Sequence, residues 1–128
     1  MSLKDSLRVM VVDDMSTSRA LITQALEWMG VRHYDTCNDG ADALKRLAAS
    51  PVHLVISDYN MPNMNGLQLL QGLRQNNSTK RIGFILVTGR PEQQIIDYGR
   101  KLAMNNYIKK PFSPEALKSC IETVTGKL

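Results

Sequence analysis

The sequence LVISDYNMPNMNG, at residues 54–66, decides the fold that we predict for this chain. Its apolar start, Leu54-Val55-Ile56, is typical of a buried strand and carries one carboxylate, Asp58, out of the strand's carboxyl end. Pro62 and the asparagine and glycine residues around it prevent the strand from continuing. Asp58 is therefore predicted to lie in a loop at the end of a strand, where solvent and a ligand can reach it.

Two further apolar runs, at residues 9–12 and 84–87, are nearly continuous rather than alternating. Continuous apolarity predicts strands that are covered on both faces, as in a parallel sheet. Two shorter and more polar segments, residues 32–37 and 106–109, are predicted as edge strands. Helical patterns separate the strands, so strand and helix alternate five times. The sequence therefore predicts an α/β, doubly wound fold in which five helices surround a five-stranded parallel sheet.

The predicted helices have recognisable starts and ends. The first follows the capping candidates Ser16 and Thr17 and ends at Gly30. Its buried stripe is predicted to contain Leu21, Ile22, Ala25, Leu26 and Met29. The second lies near residues 41–49, and the third follows residue 66. Pro91 is expected to begin the fourth helix, and Ser113 to cap the fifth, because these residue types favour helix starts.

Composition excludes several classes of function. The net charge is +4 and the pI is about 9.2. However, aromatic residues make up only 5% of the chain, and the sequence has no run of lysine and arginine with interleaved aromatic residues. We therefore do not expect the protein to bind nucleic acid. No segment approaches the roughly 18–20 apolar residues that span a bilayer, and the amino terminus lacks the apolar core of a signal peptide. Cys37 and Cys120 have no metal or redox spacing, and without a signal peptide they indicate free thiols in a reducing cytoplasm. We also expect the protein to be a monomer.

Polar side chains follow four of the five predicted strands. They are Asp13 and Asp14 after the first strand, Asp58 after the third, Thr88 and Gly89 after the fourth, and Lys110 after the fifth. Each of these residues alone is typical of an ordinary strand end or surface loop. Because the carboxyl ends of parallel strands form one ligand crevice, their coincidence instead predicts a site.

The residue types predict the chemistry of that site. Carboxylates crowded together either bind protons more tightly or recruit a divalent cation, and hard oxygen ligands suit Mg²⁺ better than zinc. Lys110 is expected to pair with Asp58 at rest and with a phosphate in the active state. The hydroxyl of Thr88 and the N–H of Gly89 are donors for phosphoryl oxygens. Asp58 is therefore predicted to be the nucleophile of a phosphoryl transfer.

Four segments carry a resemblance to a known family: VVDD at 11–14, ISDYNMPNMNG at 56–66, VTG at 87–89 and YIKKPF at 107–112. With them the chain resembles, over essentially its whole length, the receiver domains of two-component response regulators. It is most similar to the single-domain chemotaxis regulators of the CheY type. The resemblance implies a flavodoxin-like receiver fold with strand order 2-1-3-4-5. It also implies one receiver domain over residues 1–128, without an effector domain.

The resemblance also implies roles for individual residues. Asp58 would accept a phosphoryl group from a phosphohistidine on a histidine kinase. Asp14, Asp58 and the backbone carbonyl of Asn60 would bind Mg²⁺, and Asp13 would contribute through water. The backbone N–H groups of Asn60 and Gly89 would contact the phosphoryl group.

A second set of implied roles concerns the output. Thr88 would move toward the phosphate, and Tyr107 would rotate inward into the space that Thr88 vacates. This coupling would reshape the face made by the fourth predicted helix, the fifth strand and the fifth predicted helix, where partners of the family dock. The expected partners are a chemotaxis histidine kinase, a flagellar motor switch protein and a phosphatase.

The sequence departs from the family pattern before the fifth strand. The glycine and alanine usual there are Ala103 and Met104 in this chain. We therefore expect Asn105 or Asn106 to supply any left-handed residue that the turn needs.

Three functions compete for these residues. The leading hypothesis is a switch that binds the flagellar motor when phosphorylated, rather than a turnover enzyme. The second is a phosphate sink or relay with no motor output. The third, a phosphatase of the haloacid dehalogenase type, requires an Asp-x-Asp nucleophile after the first strand. Here that strand ends in Asp13-Asp14-Met15, and there is no inserted cap, so the third function is disfavoured.

Overall fold

Three strands with apolar sequences form the centre of the sheet. In the computed structural model, which describes residues 2–128, the strands are β1 (Arg8–Val12), β2 (His33–Cys37), β3 (Leu54–Asp58), β4 (Gly83–Thr88) and β5 (Asn106–Lys109). Their order is β2-β1-β3-β4-β5, and all neighbours are parallel. The predicted doubly wound, flavodoxin-like class and its strand order are therefore confirmed, with the two polar strands at the edges.

The helices are α1 (Leu3–Ser6), α2 (Ser16–Trp28), α3 (Gly40–Ala49), α4 (Gly66–Arg74), α5 (Gln93–Lys101) and α6 (Pro114–Thr125). The prediction of five helices missed α1, since its four residues are too few to show a helical period. Pro91 does not begin a helix, because α5 starts at Gln93 with Glu92 as its N-cap. The fixed φ of proline suits the extended backbone before the cap as well as a first helical turn. Among residues 2–128, no helix has the length and apolarity that crossing a bilayer requires.

The core has two layers because successive side chains of a strand point to opposite faces. On β1, Val9 and Val11 pack with α2 and α6, whereas Met10 and Val12 pack with α3 and α4. All four of these side chains are buried. Both faces of the central strands are therefore covered, and polar groups reach a ligand only at the strand ends.

Two helices end in the same turn but with different residues. Gly30 has a φ of 91° after α2, and its neighbour Val31 donates to Leu26 O at 2.9 Å. After α5, Ala103 has a φ of 61°, and Met104 donates to Gly99 O at 2.9 Å. These are the hydrogen bonds of a Schellman motif, which requires a left-handed residue directly after the C-cap. The expectation of a left-handed Asn105 or Asn106 is therefore wrong, because the motif places that conformation at Ala103.

Candidate functional site at the carboxyl edge of the sheet

The ends of β1 and β3 bring three carboxylates together. β1 and β3 are neighbours, with Val12 paired to Ser57, so the residues that follow them lie side by side. One oxygen from each of Asp13, Asp14 and Asp58 lies within 4.8 Å of the others. We name this group the acidic half of the site.

Asp58 is more enclosed than the sequence suggested. It is the last residue of β3, paired with Val87, and is only 4% exposed. The expectation of an open loop position is therefore wrong, because the Tyr59 N–H continues the pairing by donating to Val87 O at 2.9 Å. Asp58 can be reached only along the crevice at the end of its strand.

Asp13 is fully buried and is held by backbone groups. Its Oδ1 accepts a hydrogen bond from the Met15 N–H at 2.9 Å, and its own N–H donates to Cys37 O at 3.0 Å. The guanidinium of Arg19 donates to the carbonyl of Asp13 at 2.8 Å. Its Oδ2 has no hydrogen-bond donor among residues 2–128, although burial makes an unpaired carboxylate oxygen costly.

Lys110 joins β5 to this acidic half. Its Nζ lies 2.8 Å from Asp58 Oδ1 and 3.9 Å from Asp13 Oδ2. Burial raises the pKa of Asp58; Lys110 works against that shift, and the charges of Asp13 and Asp14 add to it. The lysine therefore offsets part of the repulsion among the carboxylates and leaves the site short of positive charge.

The acidic half fits a single hard cation. Magnesium binds oxygen at about 2.0–2.1 Å, so ligands on opposite sides of one ion lie about 4 Å apart, close to the span of these oxygens. The unpartnered Oδ2 of Asp13 and the exposed carboxylate of Asp14 leave acceptors free for an ion and its water. Asn60 is exposed in the loop directly after β3, at the mouth of the same crevice.

The other side of the crevice, which we name the β4–β5 half, consists of Thr88, Gly89 and Tyr107. Thr88 is buried, and its Oγ1 accepts a hydrogen bond from the Arg90 N–H at 3.1 Å. Gly89 is exposed, and a Cβ built on it would meet no atom within 4 Å. Tyr107 is half-buried on β5, opposite Leu86 on β4. Gly89 therefore borders open space, whereas Thr88 is enclosed and Tyr107 packs against the core.

A loop closes the site from the side of α4. The Gly66 N–H donates to Tyr59 O at 2.9 Å, which folds residues 59–66 back on themselves. The side chain of Asn65 accepts a hydrogen bond from the Gln68 N–H, and the Asn65 N–H donates to Gln68 Oε1, so α4 begins with a capping box. Asn63 supplies the positive φ that this loop needs, a conformation that asparagine tolerates.

An apolar cleft of about 610 Å³ adjoins the site, and Lys110 lines it. Leu21 and Trp28 of α2 lie along this cleft and are 63% and 56% exposed. The prediction that Leu21 belongs to the buried stripe of α2 is therefore wrong, because its side chain lies on the cleft side. Sequence reasoning also missed Arg19, since a guanidinium that serves a backbone carbonyl leaves no motif.

Comparisons with known proteins identify a family and relatives that span most of the chain. The family model for the response regulator receiver domain matches residues 9–122. A probable chemotaxis protein CheY of Rhizobium etli is 39% identical over 128 residues, which are 100% of this chain and 99% of that protein. Chemotaxis protein CheY1 of Helicobacter pylori is 36% identical over 121 residues, covering 94% of this chain and 98% of that protein.

Solved structures show the same fold. Chemotaxis protein CheY4 of Vibrio cholerae, crystallised at low pH, superposes with a TM-score of 0.86 at 26% identity, covering 92% of this chain and 98% of that one. The receiver domain of a sensor histidine kinase from Pseudomonas aeruginosa superposes with a TM-score of 0.84 at 21% identity, covering 94% and 98%. That second structure has a magnesium ion coordinated in its active site cleft.

Proposed function

The chain belongs to the response regulator receiver domain family, and we propose that Asp58 is the residue at which it receives its signal. In this proposal Asp58 accepts a phosphoryl group from the phosphohistidine of a chemotaxis histidine kinase. The observation that carries the proposal is the position of Asp58, a nearly buried carboxylate at a crevice, 2.8 Å from the Lys110 ammonium and beside two further acids. A strand end so crowded with charge is expensive to maintain for stability alone.

The transfer itself is a displacement at phosphorus. A carboxylate oxygen of Asp58 forms the new O–P bond as the N–P bond of the phosphohistidine breaks, and the electron pair of that bond stays with the departing imidazole. Lys110, which neutralises Asp58 at rest, moves its charge to the phosphoryl oxygens as negative charge accumulates there. The departing imidazole carries a proton on its other ring nitrogen, so the products are an aspartyl phosphate on this chain and a neutral histidine on the kinase.

Asp13, Asp14, Asp58 and the carbonyl of Asn60 would hold Mg²⁺, with Asp13 acting through water. When bound there, the ion would supply positive charge beside the phosphoryl oxygens. Support comes from the unpartnered Asp13 Oδ2 and from the spacing of the three carboxylates. The fold neighbour from Pseudomonas aeruginosa has magnesium in its own active site cleft.

The output would begin at Thr88, Gly89 and Tyr107. The Thr88 hydroxyl and the N–H groups of Gly89 and Asn60 would donate to the phosphoryl oxygens, which draws Thr88 toward the phosphate. Tyr107 would then turn inward, since its strand pairs directly with β4. The face of α5, β5 and α6 would change shape and bind a flagellar motor switch protein. The relatives named as chemotaxis proteins favour this output.

We propose further that the chain takes up and loses its own phosphoryl group, and so acts as a signal carrier rather than as a turnover enzyme. A phosphate sink without motor output is the second candidate. It is favoured by the exposed position of Gly89, where a Cβ would meet no atom within 4 Å, because such an opening would let water approach an aspartyl phosphate. A separate phosphatase would speed the return to rest in either case.

The first test is phosphoryl labelling of Asp58→Asn. The purified protein is incubated with a small phosphodonor and Mg²⁺, and the product is measured by phosphate-affinity electrophoresis. We expect complete loss of labelling, because an amide cannot act as the nucleophile. Asp97→Asn, which removes an exposed carboxylate on α5, is the matched control and should label normally. Labelling retained in Asp58→Asn would disprove the proposal.

The second test separates a motor switch from a sink. Wild-type protein is treated with beryllofluoride, which mimics the aspartyl phosphate, and its affinity for a motor switch protein is measured by titration calorimetry. A gain of at least about tenfold over the untreated protein supports the switch. Equal affinities combined with rapid phosphate turnover support the sink.

A further inference from the structure

The guanidinium of Arg74, the last residue of α4, uses all five of its N–H donors. Its Nε donates to Leu102 O at 3.2 Å, and its Nη1 donates to Lys80 O and Ile82 O at 2.9 and 2.7 Å. Its Nη2 donates to Ala103 O at 2.9 Å and to Asn105 Oδ1 at 3.3 Å. A guanidinium has five donors in a fixed plane, so no other side chain could make all of these bonds.

The acceptors belong to two turns that are separate in sequence. Lys80 and Ile82 lie in the turn between α4 and β4, and the other three residues lie in the turn between α5 and β5. Among residues 2–128, no carboxylate lies within salt-bridge distance of Arg74. The half-buried guanidinium of Arg74 donates only to backbone carbonyls and one side-chain amide oxygen. Burial lowers the pKa of Arg74. Arg74 therefore joins two backbone segments instead of pairing with a surface acid.

Two of these acceptor oxygens lie at the C-terminal end of α5. The last carbonyls of a helix lack partners within the helix and carry the negative end of its dipole. Arg74 donates to the carbonyls of Leu102, the C-cap, and Ala103, the residue with a φ of 61°. It thus stabilises a turn that has no glycine. Asn105 extends the same contact to the sheet, because its Oδ1 also accepts from the Phe84 N–H of β4 at 2.8 Å.

The other end of α4 lies against the phosphorylation site. A Cβ built on Gly66 would lie 2.5 Å from the carbonyl oxygen of Asp58 and 2.8 Å from Leu86 Cδ1, so the helix start and the strand are in direct contact. From Gly66 to Arg74 the helix covers about 12–14 Å. The first residue of this helix, Gly66, therefore contacts Asp58, and its last residue, Arg74, contacts the turn that leads into β5.

We infer that Arg74 is a positioning residue for the output, through which α4 transmits changes at Asp58 to the α5–β5 turn. This route is additional to the one through Thr88 and Tyr107, and it enters β5 from the opposite end. The inference rests on the proposed function, since it requires phosphorylation of Asp58 to change the α5–β5 face. Arg74 touches neither the phosphoryl group nor the metal ligands, so labelling itself should not depend on it.

The test uses Arg74→Met, which keeps an unbranched side chain and removes every donor. Hydrogen exchange by mass spectrometry is measured over residues 99–107, with and without beryllofluoride, in the full-length protein. We expect the phosphorylation-dependent difference in exchange to fall about threefold or more, while the rate of phosphoryl labelling stays within about twofold of wild type. Arg74→Lys, with a charge but no planar fork, should restore part of the difference.

Arg81→Met is the matched control, because Arg81 is exposed in the same turn and makes no side-chain hydrogen bond within residues 2–128. The phosphorylation-dependent difference in hydrogen exchange of Arg81→Met should equal that of wild type. If Arg74→Met keeps the full difference in hydrogen exchange seen in wild type, the inference is overturned. It is also overturned if Arg74→Lys and Arg74→Met lose the same amount of that difference, because an equal loss would indicate a merely structural role. If wild type itself shows no difference despite normal labelling of Asp58, the proposed output through α5 and β5 fails first.

Discussion

The acidic half and the β4–β5 half of the site differ in how firmly their side chains are held. Asp13 is fully buried and fixed by backbone hydrogen bonds on both sides, and Asp58 is clamped at 2.8 Å by Lys110. In the β4–β5 half, Thr88 accepts a bond from a neighbouring loop N–H, Gly89 faces open space, and Tyr107 is half-buried.

This difference separates two tasks within one crevice. Chemistry requires ligands that are in place before the reaction, because reorganisation during transfer would raise its barrier. A switch requires the opposite, namely groups with two accessible positions and a small free-energy difference between them. In the proposed function, the residues after β1 and β3 supply the first property, and the residues of β4 and β5 supply the second. Lys110 is the side chain that contacts the acids while belonging to the β5 side.

The largest effect is expected from Asp13→Asn, which attacks the acidic half directly. A cation that binds only the folded state stabilises it by about 2.7 kcal/mol at a concentration of 100 times its dissociation constant. Wild type should show such a gain in unfolding free energy when Mg²⁺ is added, and Asp13→Asn should lose most of it. Urea unfolding with Mg²⁺ or with a chelator measures both. Asp35→Asn, on an exposed position of β2, is the control. Equal gains in all three proteins would refute the assignment of the cation to this half.

Lys110→Ala tests whether the two halves communicate. We expect Asp58 still to be labelled, because the acid and the cation ligands remain. The gain in partner affinity on phosphorylation should fall by about tenfold, since the charge that links Asp58 to β5 is gone. Titration of a motor switch protein against the beryllofluoride form measures this. Lys109→Ala, the exposed neighbour, should behave as wild type. An unchanged gain in Lys110→Ala would mean that the halves are coupled elsewhere.

The pKa of Asp58 predicts a smaller, pH-dependent effect in the acidic half. Burial raises this pKa above its unfolded value, so the folded state binds the proton more tightly than the unfolded state does. The contribution of Asp58 to stability is therefore full below the unfolded pKa and is lost as the pH rises through the folded one. Without Mg²⁺, Asp58→Asn should be more stable than wild type at neutral pH, and the two curves should converge in acid. A difference independent of pH would show that the carboxylate is not the cause.

The smallest effect is expected at the turns after α2 and α5, the helices that follow the acidic half and the β4–β5 half. Ala103→Gly relieves a left-handed alanine and should raise the unfolding free energy by about 1 kcal/mol. Gly30→Ala, in the same turn after α2, should lower it by at least that amount. Its Cβ would also lie 2.8 Å from Lys4 Cδ. Both are measured by urea unfolding. A loss of stability in Ala103→Gly would mean that Arg74 already compensates the strain.

Most of the fold could be predicted because its signals are local. Three apolar runs and the polar residues after them are enough to place Asp58 and Thr88 at the carboxyl ends of strands. That these two strands are neighbours follows from the strand order that the family resemblance implies. Residue preference predicts an asparagine at the left-handed position, but the hydrogen bonds of the turn decide where that position lies, and they require Ala103. Helix α1 was missed because a single turn carries no period.

The site was harder to predict than the fold wherever contacts cross between elements. The sequence shows Asp13 and Asp14 as equivalent neighbours, yet one is fully buried and the other exposed, since they follow the strand in different directions. Arg74 donates to backbone carbonyls up to 29 residues away, and every residue possesses such a carbonyl. Such interactions depend on where the backbone passes, which residue types do not encode.

The parallel pairing of β1 also governs how the chain can assemble during synthesis. Its partners are Tyr34 and Leu54 opposite Val9, both far along the chain, so no hairpin can form early. Contacts of this kind form slowly, because the intervening loop must close before any pairing energy is gained. A nascent chain that has not reached β3 exposes an apolar strand with an open edge, which favours aggregation. The residues of the acidic half are therefore synthesised before those of the β4–β5 half. The strands β1, β2 and β3 can pair before β4 and β5 are available.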